Sequence, residues 1–483
     1  MPASRVETGV SGPEGARVPS TRPASRVPYA ELHAHSACSF HDGVSQPHEL
    51  AAAAANLGYQ AFALTDHDGV YGAMEFAQAC APLGVKPIHG AEITLDDGHH
   101  LTLLVRERAG WASLCRLLTA AYAETRSHDA ARSAGQPRVS LGDVLANAAG
   151  LICLSGCAFR GAVAGRVEHG EAGVAETVAR RLLDAFGPDD FRIELQRPFA
   201  RHDRRRNRLL SELAERIGVP CVATGNVHAH HKARAALQDA LVAVRLGRAL
   251  DECEAQRRGN RSHVLAEPEA MAARFHDHPD AVTETLRVAE RIEFDLRRDL
   301  GYAYPRQGDP DADRELAAVC RARMDERYPK RDERAAAEPR LDEELNVIRK
   351  LGLSGFFLLH RDMLELAREV AAEVRGPDTA RALLPPGRGR GSSVSSLVCY
   401  LTGLSHIDPV QQDLHLGRFL NDDLQAMPDI DLDFPRDIRE KLIPRVHERY
   451  GHDHSALVAS FPTYQAPSAV RDFAKTLGLP PAE

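Results

Sequence analysis

Residues 385–434 read PPGRGRGSSVSSLVCYLTGLSHIDPVQQDLHLGRFLNDDLQAMPDIDLDF. A glycine- and arginine-rich stretch with hydroxyls leads into an apolar, helix-like run, and a strand-like peptide with a carboxylate at every second position closes the segment. In a strand, side chains i and i+2 point the same way. Asp429, Asp431 and Asp433 therefore share one face, with Ile430, Leu432 and Phe434 packing behind it. Carboxylates this close repel unless cations lie between them. An EF-hand calcium loop is excluded because its sixth position needs glycine and here holds Phe434.

The upstream GRGRGSSVSS lacks the Gly-Lys-Ser/Thr ending of a P-loop and the spacing of the dinucleotide fingerprint. Alone it also reads as a flexible turn. The adjoining run SSLVCYLTG predicts a helix whose N-terminus offers free N–H groups and a positive dipole end to a triphosphate. Arg388 and Arg390 add forked donors for phosphate oxygens, and Ser392 and Ser396 add hydroxyls. A phosphate-cradling loop ahead of paired metal-binding aspartates is the equipment of two-metal nucleotidyl transfer.

Working outward, 483 residues are enough for two to four domains. Hydrophobic content of 43% and charged content of 27% describe an ordinary soluble chain. A net charge of −8 argues against a uniformly basic nucleic-acid binder, so contacts to DNA must come from local patches. One such run, RHDRRRNR (201–208), equally fits a solvated helix face. Nine cysteines without a C-x-x-C pair suit a reducing cytoplasm. No apolar run approaches the ~18 residues of a membrane span. Residues 1–28, rich in Pro, Ser, Gly and Arg, are expected to be a disordered extension.

Residues 29–300 predict one α/β domain. Apolar runs at 61–68, 87–95, 100–105, 151–156, 191–195 and 220–228 alternate with alanine-rich helical stretches, favouring a parallel sheet or barrel. Polar donors gather at the ends of these runs: His33, His35, His41, Asp42, His67, Glu92, His100, Cys157 and His228. Imidazole, carboxylate and thiolate suit zinc or a mixed Zn/Mn/Fe cluster, with each ligand supplied from a different strand end. A lone His among 23 is usually structural, whereas the repeated pattern points to a metal site. Beyond a break near 301–313, Leu341, Leu345, Ile348 and Leu351 recur at helical spacing.

The run from ELHAHSACSFHDG to HGAEITL (31–95) resembles the polymerase-and-histidinol-phosphatase (PHP) domain, in the version that opens bacterial C-family DNA polymerases. That resemblance implies a distorted seven-stranded β/α barrel. Its implied metal ligands are His33, His35, Asp42 with His41 as the competing neighbour, His67, Glu92, His100, Cys157 and His228. Where the family usually has an aspartate, this chain has Asn226, a neutral and poorer ligand, which favours a structural role for the barrel.

GRGRGSS and PDIDLDF, in that order, resemble the nucleotidyltransferase-like palm of the same family. The resemblance implies Gly391, Ser392 and Ser396 at the incoming triphosphate, Asp429 and Asp431 as Mg²⁺ ligands, Asp433 in support, and Arg418 of GRFLNDD as a further phosphate contact. It divides the chain at 29–300 (barrel), 301–435 (linker and first part of the palm) and 436–483 (start of a helical thumb). The stretches DLGYAYP and VATGNVHAHHKARAALQDALVAVRLG look most like the error-prone, damage-inducible subfamily. Primer-template DNA, deoxynucleoside triphosphates, a sliding clamp and translesion accessory proteins are the implied partners. Family members are about twice as long, so the 483-residue chain is expected to be incomplete and inactive alone. A metal-dependent phosphoesterase and a non-catalytic metal-stabilised scaffold are the alternatives.

Overall fold

The computed structural model describes residues 27–123, 125, 135–258, 261–300, 304, 306–376, 379, 386–420, 428–451, 454–458 and 460–479. The N-terminal extension, except for Val27 and Pro28, lies outside them. The chain forms two compact units, Met1–Leu300 with Thr463–Glu483, and Gly301–Pro462. The stretch 436–483 is thus not one piece. The helix Arg436–Tyr450 packs on the helix Ser354–Arg375 of the second unit, and Ala466–Thr476 packs on Ala235–Leu246 of the first.

The first unit holds a six-stranded sheet in sequential order: β1 (Ala61–Leu64), β2 (Lys86–Thr94), β3 (His100–Val105), β4 (Leu151–Leu154), β5 (Phe191–Gln196) and β6 (Cys221–Thr224). β1 pairs parallel with β2, and β4 parallel with β5, which pairs parallel with β6. β3 is antiparallel to both its neighbours, departing from a parallel sheet. The cause is local, since residues 95–99 between β2 and β3 are too few for a crossover helix, and a short turn reverses the chain.

The extended segment 29–35 closes the barrel. Glu31 bridges Phe62 of β1 and Ala34 bridges Val227 beyond β6, both parallel. The seventh stave is therefore an irregular segment and not a regular strand. Alternation along the strands fills the interior in two layers. Ile88, Leu104, Ile152, Leu154 and Val222 form an apolar lower layer, sealed by Val288, Ala289 and Ile292 at the helix Pro279–Arg291. Glu92, His100, Thr102, Glu194, Gln196 and Thr224 occupy the upper positions of the same alternation.

Outward-facing strand residues pack on amphipathic helices. Ala172–Phe186 buries Ala175, Val178, Ala179, Leu182 and Phe186, the i, i+3, i+4 stripe of a helix covering a sheet. The basic run 201–208 enters the helix Asp203–Ile217, where Arg206 is buried against Asp203 and Glu168.

The second unit is helical around its own core. Leu316, Cys320 and Met324 of Pro310–Arg327 meet Leu341 and Ile348 of Arg331–Lys350 and Phe357 and Leu364 of Ser354–Arg375. A two-stranded antiparallel sheet, β7 (Arg388–Arg390) with β8 (Asp431–Asp433), lies in this unit. Where a flexible glycine loop was an alternative, Gly389 is a strand residue pressed against the chain: a Cβ there would come 2.5 Å from the Leu404 carbonyl oxygen.

Candidate functional site

The barrel gathers its donors at one end because each strand delivers them there. His33 and His35 come from the closing segment, His67 follows β1, Cys157 follows β4, and Asn226 and His228 follow β6. His100 begins β3, and the reversed direction of that strand brings its first residue beside Thr94 at the end of β2.

Glu92 sits at the centre. Its Oε2 lies 2.8 Å from His33 Nε2, while Oε1 lies 2.8 Å from His67 Nδ1 and 2.6 Å from His100 Nδ1. Neither oxygen has a hydrogen bond of proper alignment, although both are buried. His33 Nδ1 approaches Glu194 Oε1 at 2.7 Å, with Thr102 and Gln196 beside it. The Glu194 carboxylate accepts a hydrogen bond from Nδ1–H, which leaves the lone pair on Nε2, facing the cluster 3.1 Å from His35 Nε2. Two ring nitrogens face to face beside a buried carboxylate ringed by imidazoles are the arrangement a divalent cation resolves. Three sets of donors lie within one ion's reach: His33, His35 and Glu92; His67, Glu92 and His100; and His35, His67 and His228. The residues fit a metal centre, and the two oxygens of Glu92 face two different sets.

Carboxylate charge dominates the titration of the nearer imidazoles. Burial alone would lower the histidine pKa values, but Glu92 with Asp42 holds His67 up to about 9, and Glu92 with Cys157 holds His100 up to about 10. Burial would raise Glu92, yet His100 and His67 hold it well below the usual carboxylate range. His35, buried against His67 and His228, is pushed down and kept neutral, as a ligand must be.

At the opposite edge, Asp42 Oδ2 lies 3.0 Å from His67 Nε2 and 3.4 Å from His228 Nε2. Arg258 enters there, with Nη2 2.8 Å from Asp42 Oδ2 and 2.5 Å from His228 Nε2. Of the competing neighbours His41 and Asp42, it is Asp42 that joins the cluster. His41, at a positive φ of 59°, turns to the Tyr464 ring. Asn226 is buried with its Oδ1 unpaired, its backbone carbonyl accepting from His228 and His263.

In the second unit, the register places Arg390 opposite Asp431 and Arg388 opposite Asp433. Arg390 Nε donates to Asp433 Oδ1 at 3.0 Å, and its Nη1 lies 3.3 Å from Asp431 Oδ2. Gly391 takes a left-handed φ of 74°, and a Cβ there would meet Asp431 Oδ2 at 3.6 Å. Ile430 is buried, with Leu432 and Phe434 partly buried on the core, so the acids lie on the other face; Asp429 and Asp433 are exposed. His360 was not anticipated. It is bonded through Nδ1 to the Phe356 carbonyl and feels the Asp429 charge, although burial keeps its pKa lowered.

Ser392 is exposed on the turn Gly391–Ser395. Ser396 is not: it is fully buried as the N-cap of Leu397–Thr402. The free N–H groups expected of this helix are taken by Glu344, whose carboxylate accepts from Leu397 N, Val398 N and Ser396 Oγ at 2.9–3.1 Å. Arg418 ends the turn Leu416–Arg418, with its side chain outside the described residues.

Residues 31–198 match the model of the PHP domain, and residues 314–483 that of the bacterial DNA polymerase III alpha NTPase domain. The chain is 36% identical over 471 residues to an error-prone DNA polymerase of Symbiobacterium thermophilum, covering 94% of this chain and 41% of that protein. It is 37% identical over 500 residues to one from Mycobacterium bovis, covering 100% and 43%. With one from Nocardia farcinica it shares 34% over 523 residues, covering 96% and 44%. The chain thus spans about two-fifths of the length of these relatives. An amidohydrolase structure from Chromobacterium violaceum overlaps 41% of this chain and 87% of that one at 19% identity and a TM-score of 0.30. Its first part thus matches the PHP domain and its last part the bacterial DNA polymerase III alpha NTPase domain, and over nearly all of its length the chain is similar to error-prone DNA polymerases.

Proposed function

We propose that this chain carries the nucleotide-adding site of a DNA-directed DNA polymerase of the error-prone type. The observation that carries the reading is the β7–β8 register, which puts the Gly-Arg segment and the alternating aspartates on one small sheet, Arg390 across from Asp431. Asp429 and Asp431 are the ligands for Mg²⁺, with Asp433 in support. Arg390, Gly391 and Ser392 receive the triphosphate, the forked guanidinium of Arg390 exchanging carboxylate for phosphate oxygens. Ser396 acts by fixing the turn and not by contact, and Arg418 is assigned to the phosphates on its motif. Bound Mg²⁺ supplies charge neutralisation at the triphosphate and activation of the primer 3′-hydroxyl.

Primer-template DNA and deoxynucleoside triphosphates are the substrates. Translesion synthesis in the cytoplasm, with a sliding clamp and accessory proteins, is the cellular setting; the relatives' names and nine unpaired cysteines support it. The barrel binds Zn²⁺, or Mn²⁺ or Fe²⁺, consistent with its imidazole, carboxylate and thiolate donors. A phosphoesterase activity of the barrel is the second reading, favoured by the placement of Glu92 between two donor sets.

Parallel assays on primed template and on a phosphomonoester separate the two. Assayed with the sequence placed in a polymerase of the relatives' full length, template-directed incorporation should fall on the order of 10³-fold or more with Asp431→Ala and persist with His35→Ala. Incorporation untouched by Asp431→Ala refutes the polymerase site. Hydrolysis that survives Asp431→Ala and ends with His35→Ala establishes the second activity.

A further inference from the structure

The guanidinium of Arg258 reaches the metal cluster from just beyond the turn Leu250–Gln256. Its Nη2 contacts Asp42 Oδ2 at 2.8 Å and His228 Nε2 at 2.5 Å. The tautomer of His228 follows from its other nitrogen. Nδ1 lies 2.9 Å from the Asn226 carbonyl oxygen, which can only accept, so Nδ1 carries the proton and Nε2 presents a lone pair. Through that same lone pair His228, with Asp42 Oδ2 3.4 Å away, would hold an ion at this edge. One lone pair cannot serve a guanidinium N–H and a metal together.

Charge points the same way. At this edge Asp42 is the carboxylate in contact, and its single negative charge already faces a guanidinium that never loses its proton. Asn226 contributes a neutral amide whose Oδ1 is buried without a hydrogen bond. The Glu92 edge differs, for Glu92 and Glu194 place two carboxylates among the imidazoles. The two donor sets that share Glu92 remain available when His228 is engaged.

We propose that Arg258 is a built-in counter-cation that fills the Asp42–His228 position, so that the barrel holds two divalent ions bridged by Glu92 and excludes a third. This rests on the reading of the barrel as a metal centre and adds the number of ions and the residue that limits it. It gives the neutral Asn226 a physical logic, since a position already holding a fixed cation has no use for a second carboxylate.

The test is the metal content of the 483-residue chain, loaded with Zn²⁺ and freed of excess by gel filtration. An Asp429→Asn/Asp431→Asn background ensures that only the barrel is counted. Two equivalents are expected for this background and with Arg258→Lys. Three are expected with Arg258→Met, which keeps the aliphatic stem, and with Arg258→Met/Asn226→Asp. Circular dichroism melting checks that each variant is folded, and Co²⁺ absorption gives a second reading of the added site. Three equivalents with Arg258 present, or two in every variant, would overturn the role of Arg258. A chain that retains no metal would remove the metal-centre reading and this inference together.

Discussion

Glu92 turns one oxygen toward His33 and the other toward His67 and His100, so its charge is shared by two donor sets. Glu92→Gln keeps the shape and removes the charge, and metal retention against a chelator should weaken at least ~tenfold. Retention equal to wild type would mean that Glu92 is not the bridge. A second residue, His89, lies buried between Trp111 and Phe294 with neither ring nitrogen bonded, and burial pushes its pKa down to about 4 from 6.5. Above pH 6.5 both folded and unfolded chains hold it neutral, and it costs nothing. As pH falls from 6.5 through about 4 the unfolded chain gains the proton first, so stability present above 6.5 is progressively lost. The gap corresponds to roughly 3 kcal/mol. His89→Phe should flatten that part of the stability–pH curve in urea titrations, and an unchanged curve would refute the assignment. At this scale the donors were legible because polar residues at the ends of apolar strands stand out. Glu194 and Gln196 carried the same signal, being polar at alternate positions of β5. Arg258 had no local signal, because its approach depends on a turn folding back over the cluster.

The helix Leu397–Thr402 shows how an element can be read correctly and its chemistry misassigned. Its start, its Ser396 cap and its closing Gly403 at φ 83° are all local features of sequence. The carboxylate over its N-terminus comes from Glu344, 52 residues earlier than Ser396, and no local pattern announces that. Glu344→Ala would leave Leu397 N, Val398 N and Arg340 without their buried partner. A loss of about 3 kcal/mol is expected in chemical denaturation, against about 1 kcal/mol for Ser396→Ala. Equal, small losses would mean that the cap is not Glu344. The reversed β3 and the irregular seventh stave escaped the alternation argument for a related reason. Runs of apolar residues mark strands, but direction depends on connection length and regularity on pairing partners.

Each unit has its own core, Leu50, Phe62, Leu114 and Phe191 belonging to the first and Leu316, Ile348, Phe357 and Leu397 to the second. Calorimetry should therefore resolve two transitions. In buffer without Mg²⁺ or nucleotide, removing the barrel's metal with a chelator should lower only the transition belonging to the barrel, because binding to the native state alone adds stability by mass action. Two transitions shifted equally would contradict this separation. In the other unit, Asp429 and Asp431 are proposed to hold divalent ions beside a loop that takes a nucleoside triphosphate. The most direct measurement is a Mn²⁺ titration of the chain with and without dATP, followed by electron paramagnetic resonance. With the barrel already loaded with Zn²⁺, the expected result is a dATP-dependent component of Mn²⁺ binding that is abolished by Asp429→Asn/Asp431→Asn and unaffected by His35→Ala. Nucleotide-dependent binding that survives loss of both aspartates would contradict it.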